Sequence, residues 1–446
     1  MPFRRFFGRS QQPPPPVDEA PADEESVDDE SWSEGDGPER DASSEEIDRD
    51  WRDRAAALIP GGASTGSKRP DAMYGAADAD APTHFARASG CHVVTMAEST
   101  LIDCTMALGA VSLGYADDAV TRAVMAAAAN GHVAGLSHHL EVEIAERLCE
   151  LIPCAEQVRF FKSGAEATAA AVRIARASTG RTHVVASGYF GWHDWSNTCA
   201  GVPAAVAAET TQVPFDDLPA LERAVKAAGG NLAAIILEPI VEREPSEAWV
   251  EAARSLCESS GAVLIFDEMK TGFRVRAGGY QVLSGITPDL ATFGKALANG
   301  YPLAVVVGRE RIMQAAAKTW ISSTLAGEGT ALAAAGAVLD RYAGEDDVCE
   351  QLAEIGRSMR SSVEAAIQAS GIRGVRVSGL DPMWMLHFED PAIEREFLVR
   401  SAREGVLFKR GAYNYASLAH GEEEVLVEIE RVASSVFVGL AEEQNA

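Results

Sequence analysis

The stretch AVLIFDEMKTGFR, Ala262 to Arg274, decides the fold. Its continuous run of Ala, Val, Leu, Ile and Phe reads as a strand buried on both faces. The residues before it, EAWVEAARSLCESS (247–260), have the apolar spacing of a helix. Working outward, the same alternation recurs: VRFF (158–161) before EATAAAVRIARA, then THVVAS (182–187), LPALERAVKAA (218–228), LAAIIL (232–237) and LAVVV (303–307). Buried strands separated by helices indicate an α/β protein with a mainly parallel sheet covered on both sides. Beyond about Leu332 the pattern shifts to long amphipathic helices with two shorter strand candidates, VRVSG (375–379) and MWMLHF (383–388), which suggests a smaller α+β unit.

The chain has 446 residues, is 47% hydrophobic and carries a formal charge of −27. Such acidity argues against nucleic acid and anionic lipid surfaces, both of which select basic faces. Seven cysteines without a CxxC pair suit reduced thiols in a cytoplasm, and no metal site is expected. The adjacent His138 and His139 lack further ligands at suitable spacing. No apolar run is long enough to span a bilayer, so no membrane partner is expected. Residues 1–50 hold sixteen Asp/Glu against five Arg and few aliphatic side chains, which predicts a disordered acidic tail.

In open parallel sheets, ligands collect outside the carboxyl ends of the strands, so the residues following each strand carry the functional reading. After VRFF, Ser163, Gly164 and Ala165 open a helix. Glu166 completes an S-x-x-E capping box, and the free amides there also suit a phosphate. After THVVAS comes GYFGWHDW (188–195), an aromatic cluster bracketed by glycines, where one ring can stack on a flat cofactor or pack in the core. After AVLIF, Asp267 caps a turn, pairs with Arg274, or faces a protonated ring nitrogen, the charge pair that keeps pyridoxal phosphate an electron sink. After PDLATF, Lys295 stands among small and apolar residues. Either its head is solvated, or burial lowers its pKa and frees the amine to attack a carbonyl.

These motifs together resemble the class III aminotransferases of fold type I, closest to the glutamate-1-semialdehyde 2,1-aminomutase branch. The resemblance runs from about Trp51 to the C-terminus through LIPGG, SGAEATAAAVRIAR, YFG, LEPI, DEMKTGFR, GKALANGYPLA, SSTLAGEGTALAAA and SLAH, in the family's order. It implies a pyridoxal 5′-phosphate enzyme with Lys295 joined to the cofactor and then shuttling the proton, and Asp267 on the pyridine nitrogen. Tyr189 would stack on the ring, with Glu238 near it. Ser163, Gly164 and Ala165 would hold the phosphate, helped by Thr324 from a second subunit. The implied assembly is a homodimer with cross-subunit active sites. The implied organisation is an N-terminal segment (51–105) joining the small domain, a large cofactor-binding domain (106–332) and a C-terminal small domain (333–446).

The departures are as informative. Phe190 stands where the family has histidine in Tyr-His-Gly, and LAGEGT replaces the aminomutase's LSGNP. Where the aminomutase has an arginine for the substrate carboxylate, this chain offers Lys68 or Arg69, and a lysine lacks the bidentate fork. His193 and Asp194 are candidates for orienting substrate, Lys270 for the cofactor's phenolic oxygen or for solvent, and His420 for packing. Ala296, Ala298, Asn299 and Gly300 are expected to leave room beside the lysine. The expected activity is amino transfer between an amino donor and an oxo or aldehyde acceptor in a specialised or surface-saccharide pathway, with intramolecular aminomutase chemistry as the alternative.

Overall fold

A computed structural model describes residues 43–344 and 346–446. The first element corrects the expected tail boundary, because a helix runs over Ser44–Leu58 and so begins inside the stretch assigned to the tail. Its signal is a capping box: the Ser43 hydroxyl accepts the Glu46 amide, and the Glu46 carboxylate accepts the Ser43 amide at 3.0 Å. Arg52 then anchors the helix by donating to the carbonyl of Ala79 at 2.7 Å. Residues 1–42, the rest of the expected tail, lie outside the described residues.

Three short antiparallel strands follow: β1 (Phe85–Ser89), β2 (His92–Thr95) and β3 (Thr100–Asp103). A sheet of seven strands comes next: β4 (Gln157–Phe161), β5 (His183–Ser187), β6 (Thr210–Gln212), β7 (Leu232–Leu237), β8 (Val263–Asp267), β9 (Leu290–Phe293) and β10 (Ala304–Gly308). Their order is β4-β10-β9-β8-β7-β5-β6. Pairings from β6 through β9 are parallel, whereas β10 is antiparallel to both neighbours. The carboxyl ends of β4, β5, β7, β8 and β9 therefore share one edge.

Each central strand feeds two cores, as the twofold side-chain period requires. Val185, Ile235, Leu264, Phe266 and Val305 join one core; Val184, Ala186, Ala234, Ile236, Ile265 and Val306 join the other. The Gly164–Thr179 helix covers the second core with Ala167, Ala171, Ile174 and Ala175, and the Glu247–Ser260 helix covers the first with Trp249 and Ala253. Covered on both faces, these strands need no polar alternation, which is why they read as continuous apolar runs.

Four further strands complete the chain: β11 (Val375–Leu380), β12 (Met383–Phe388), β13 (Val406–Leu407) and β14 (Tyr413–Tyr415). β11, β12 and β14 form an antiparallel sheet, while β13 pairs parallel with β3 and so ties the C-terminal region to the N-terminal strands. Among the described residues, no helix is long and apolar enough to cross a membrane.

Candidate active site

Strand register brings the chemistry together. Ser187 on β5 faces Leu237 on β7, Leu237 faces Phe266 on β8, and Asp267 faces Thr292 on β9. Glu238 and Asp267 therefore leave adjacent strands side by side, and Lys270 and Lys295 each lie three residues beyond the facing pair Asp267 and Thr292.

Asp267 is 4% exposed. Its Oδ1 accepts the Met269 amide and the Thr292 hydroxyl, each at 3.1 Å, and no donor among the described residues reaches Oδ2. Burial pushes its pKa up to about 7, Glu238 adds to the rise, and the Met269 amide, Thr292 and Lys295 oppose it. This carboxyl lacks only a cationic partner. Arg274 is not that partner, contrary to one of the readings open from the sequence: it is buried and donates to the carbonyls of Gly109 at 2.7 Å and Ala416 at 3.2 Å. The neighbouring Glu268 is also committed, accepting Thr271, the Tyr280 amide at 2.8 Å and the Gln281 amide at 3.2 Å.

Lys295 opens a single turn, Lys295–Ala298, with φ at +48°. A non-glycine residue in that region is held there by its surroundings. Gly294 before it permits the approach, since a Cβ would meet Met269 Sδ at 2.8 Å. Burial pushes the Lys295 pKa down to about 8, and the Lys270 charge adds to this, against Glu238 and Asp267. An amine with that shift is substantially neutral at mildly alkaline pH and nucleophilic.

Lys270 does not point to solvent. Its Nζ lies 2.6 Å from Glu238 Oε1, donates to the Tyr413 hydroxyl at 3.1 Å and sits 4.3 Å from the Tyr413 ring centre. The other Glu238 oxygen accepts the Tyr189 amide at 3.3 Å.

The Ser163 capping box forms, with Glu166 N donating to Ser163 Oγ at 3.3 Å and the Glu166 carboxylate accepting the Ser163 amide at 2.9 Å. The amides of Gly164 and Ala165 meet no acceptor among the described residues. Gly191 rests on this turn so closely that a Cβ would lie 2.4 Å from Ala165 Cβ. Tyr189 is 72% exposed, whereas Phe190 is buried against Trp195 with its carbonyl accepting Thr168 Oγ1 at 2.7 Å. The phenylalanine is thus a core residue, and the loop leaves the rings of Tyr189 and Trp192 exposed.

Other expected residues are not brought to this row. Thr324 is exposed and lines a concavity together with Glu166 and His193 whose lining does not include Lys295. His193 stacks edge-on against Trp192 at 4.7 Å. Lys68 and Arg69 are exposed and form no ion pair among the described residues, and Arg69 lies over Gly61. His420 is buried, accepts the Ser417 amide at 3.1 Å on Nδ1, and has its pKa pushed down to about 3 by burial.

The small residues after Lys295 differ from expectation. Ala296 and Ala298 lie in the apolar core, and Asn299 is a clamp: its Oδ1 accepts the amides of Ser112 and Leu113 at 3.0 Å and its Nδ2 donates to Gly114 O at 2.9 Å. They hold the lysine's turn in place instead of leaving space. A second clamp was also not read from the sequence. Glu328 caps the Gly329–Tyr342 helix through the Thr330 and Ala331 amides and pairs with Lys162 at 2.7 Å, just before the Ser163 turn.

These residues fit a phosphorylated pyridine aldehyde. A buried carboxyl with an open oxygen suits a ring nitrogen, a lysine with a lowered pKa suits the aldehyde, an exposed ring suits stacking, and open helix-end amides suit the phosphate.

Comparison with known proteins agrees. The family model for aminotransferase class-III matches residues 74–419. The chain is 32% identical over 399 residues to 3-aminobutyryl-CoA aminotransferase of Cloacimonas acidaminovorans, covering 86% of this chain and 95% of that protein. It is 32% identical to glutamate-1-semialdehyde 2,1-aminomutase of Nitrosospira multiformis, covering 82% and 94%. Among solved structures, the PLP internal aldimine form of the Sphingopyxis sp. MTA144 FumI protein superposes with a TM-score of 0.82 at 26% identity, covering 90% of this chain and 98% of that one.

Proposed function

Because the chain belongs to the class-III aminotransferases, pyridoxal-phosphate enzymes of fold type I that move amino groups, we propose that it transfers an amino group between two separate substrates, a donor amine and an oxo or aldehyde acceptor. The observation that carries the reading is the facing pair of strand ends that sets a carboxyl with a raised pKa beside an amine with a lowered one.

Pyridoxal phosphate, when bound, supplies the electron sink that stabilises negative charge on the carbon bearing the transferred nitrogen. Lys295 would hold the cofactor's aldehyde group and, as a free amine, would move the proton at the substrate carbon that carries the transferred nitrogen. Asp267, oriented by Thr292 and the Met269 amide, would hold a proton on the ring nitrogen. Tyr189 covers the ring. The Gly164 and Ala165 amides would hold the phosphate at the positive end of their helix, joined by the Ser163 hydroxyl on turning from Glu166 Oε2, to which it donates at 3.1 Å.

We place Thr324 of a second copy at that phosphate. The exposed apolar residues Val133, Leu136, Val142 and Trp320 line the concavity that also holds Thr324, and exposed large apolar side chains gathered in one concavity support burial against a second chain. We read residues 106–332 as the cofactor-holding body and 51–105 with 333–446 as a smaller unit, which the β3–β13 pairing supports. Seven free cysteines support a reducing compartment such as the cytoplasm.

We assign the reaction to a specialised or surface-saccharide pathway, outside tetrapyrrole synthesis. In support, Lys68 and Arg69, the residues this chain offers in place of the aminomutase's carboxylate-holding arginine, are exposed, and Arg69 lies against Gly61. The test supplies glutamate semialdehyde alone to enzyme loaded with pyridoxamine phosphate. No aminolevulinate should form, and its formation without a second substrate would establish the aminomutase reading.

A further inference from the structure

Two lysines lie at the same end of adjacent strands, Lys270 beyond β8 and Lys295 beyond β9, yet only one can serve as the nucleophile. We propose that Glu238 decides which: by pairing with Lys270 it holds that residue as an ammonium ion, and this fixed charge disfavours a second ammonium ion at Lys295. The inference rests on the proposed cofactor chemistry and adds a positioning role for the Glu238–Lys270 pair.

Every contact of Lys270 favours its charged form. Glu238 Oε1 is 2.6 Å away, and the pair is about nine-tenths buried, with side chains 10% and 11% exposed. The Tyr413 hydroxyl, which already accepts the Glu242 amide at 3.0 Å, accepts Lys270 as well, and the Tyr413 ring presents its negative face at 4.3 Å. Burial works against the Lys270 ammonium, but Glu238, Tyr413 and Tyr415 outweigh it and raise its pKa.

Lys295 has none of these contacts. No acceptor or carboxylate among the described residues bonds its Nζ, and the open Oδ2 of Asp267 is no exception. Asp267 Oδ1 is taken by Met269 and Thr292, and Glu238 by Lys270 and the Tyr189 amide. The charged groups acting on Lys295 are Lys270 and Arg274, which favour the neutral amine, and Glu238 and Asp267, which oppose it. Arg274 cannot titrate in the working range and is fixed on backbone carbonyls, so Lys270 is the cation that Glu238 controls.

The consequence concerns bond formation with an aldehyde. The neutral amine nitrogen adds to the aldehyde carbon and the carbonyl oxygen leaves as water, a step closed to an ammonium ion because its electron pair is held by a proton.

The test uses the full-length chain freed of cofactor, exposed to pyridoxal 5′-phosphate across a pH series, fixed with borohydride and mapped by peptide mass. In the wild type the label should fall on Lys295 alone, with its rate rising through a midpoint near pH 8. Lys270→Met should move the midpoint up by about one pH unit, as expected for removing a nearby like charge, and Lys270→Arg should restore it. Glu238→Gln, which keeps the shape of the pair, should bring label onto Lys270 at neutral pH. An unmoved midpoint in Lys270→Met, or a Lys270 still unlabelled in Glu238→Gln, overturns the inference while the proposed function stands. Absence of label on Lys295 at every pH overturns both.

Discussion

Thr292 donates its hydroxyl to Asp267 Oδ1 across the β8–β9 pair, at 3.1 Å and with both residues buried. That bond orients the carboxyl so that its second oxygen is the one left open. Thr292→Val, which keeps the shape and removes the donor, should weaken pyridoxal-phosphate binding by roughly 10-fold, the value of one hydrogen bond to a charged group. Thr292→Ser should retain most of the affinity. An absorbance titration of cofactor-free protein reads both.

Asp267 also makes stability depend on pH. Its pKa rises from 3.8 unfolded to about 7 folded, so between those values the folded state binds more protons than the unfolded one. Cofactor-free protein should therefore lose stability as pH climbs from about 4 to about 7, and Asp267→Asn should remove that slope. Urea midpoints at pH 5 and pH 7.5 test the sign. A cationic partner on Asp267 cancels the loss, so saturating cofactor should flatten the wild-type profile.

Glu328 behaves in the opposite sense. The Lys162 ion pair, Thr330 and the helix-end amides outweigh burial and hold its pKa at about 2, below its usual 4.5. Its contribution is present above pH 4.5 and lost as pH falls toward 2. Glu328→Ala should cost about 1–2 kcal/mol at neutral pH, as for loss of a helix cap. Because Lys162 adjoins the Ser163 turn, cofactor affinity should fall as well. Thermal melts of wild type and variant should differ at neutral pH and converge at acidic pH.

Asn299 serves as a clamp with φ at +44°. Asn299→Ala loses three hydrogen bonds to the 112–114 segment and adds backbone strain, so it should destabilise by roughly 2–4 kcal/mol. Ala298→Leu overpacks a fully buried position and should cost about 1–3 kcal/mol of stability. Denaturant titration separates these effects from any change in turnover per folded molecule.

Leu136, 86% exposed, and Trp320, 92% exposed, test the proposed assembly. The double change Leu136→Glu and Trp320→Glu should shift the protein from dimer to monomer by sedimentation and lower cofactor affinity together. A monomeric wild type would contradict the cross-subunit site.

The strand ends were legible because β5, β7, β8 and β10 are covered on both faces and spell continuous apolar runs. Direction was not: LAVVV carries no mark of the antiparallel sense that β10 takes. β1 was missed because it is short and mostly exposed, and β13 because its partner β3 lies about three hundred residues away. The helix at Ser44 did announce itself in Ser43-Ser44-Glu45-Glu46, but acidity dominated that reading. Asp267, Lys295 and the Ser163 turn could be located at strand ends from local pattern alone, while their roles came only with the family resemblance. The Glu238–Lys270–Tyr413 cluster could not, since hydrogen bonding there spans 143 residues and local periodicity is blind to it.

The most direct measurement is the visible absorbance of purified protein incubated with pyridoxal phosphate, before and after addition of an amino donor. The account predicts a yellow band in the wild type that the donor bleaches and an oxo acceptor restores, and no such band in Lys295→Ala. A wild type that stays colourless with the cofactor present, or a Lys295→Ala protein that gives the same band and the same cycle, would contradict it.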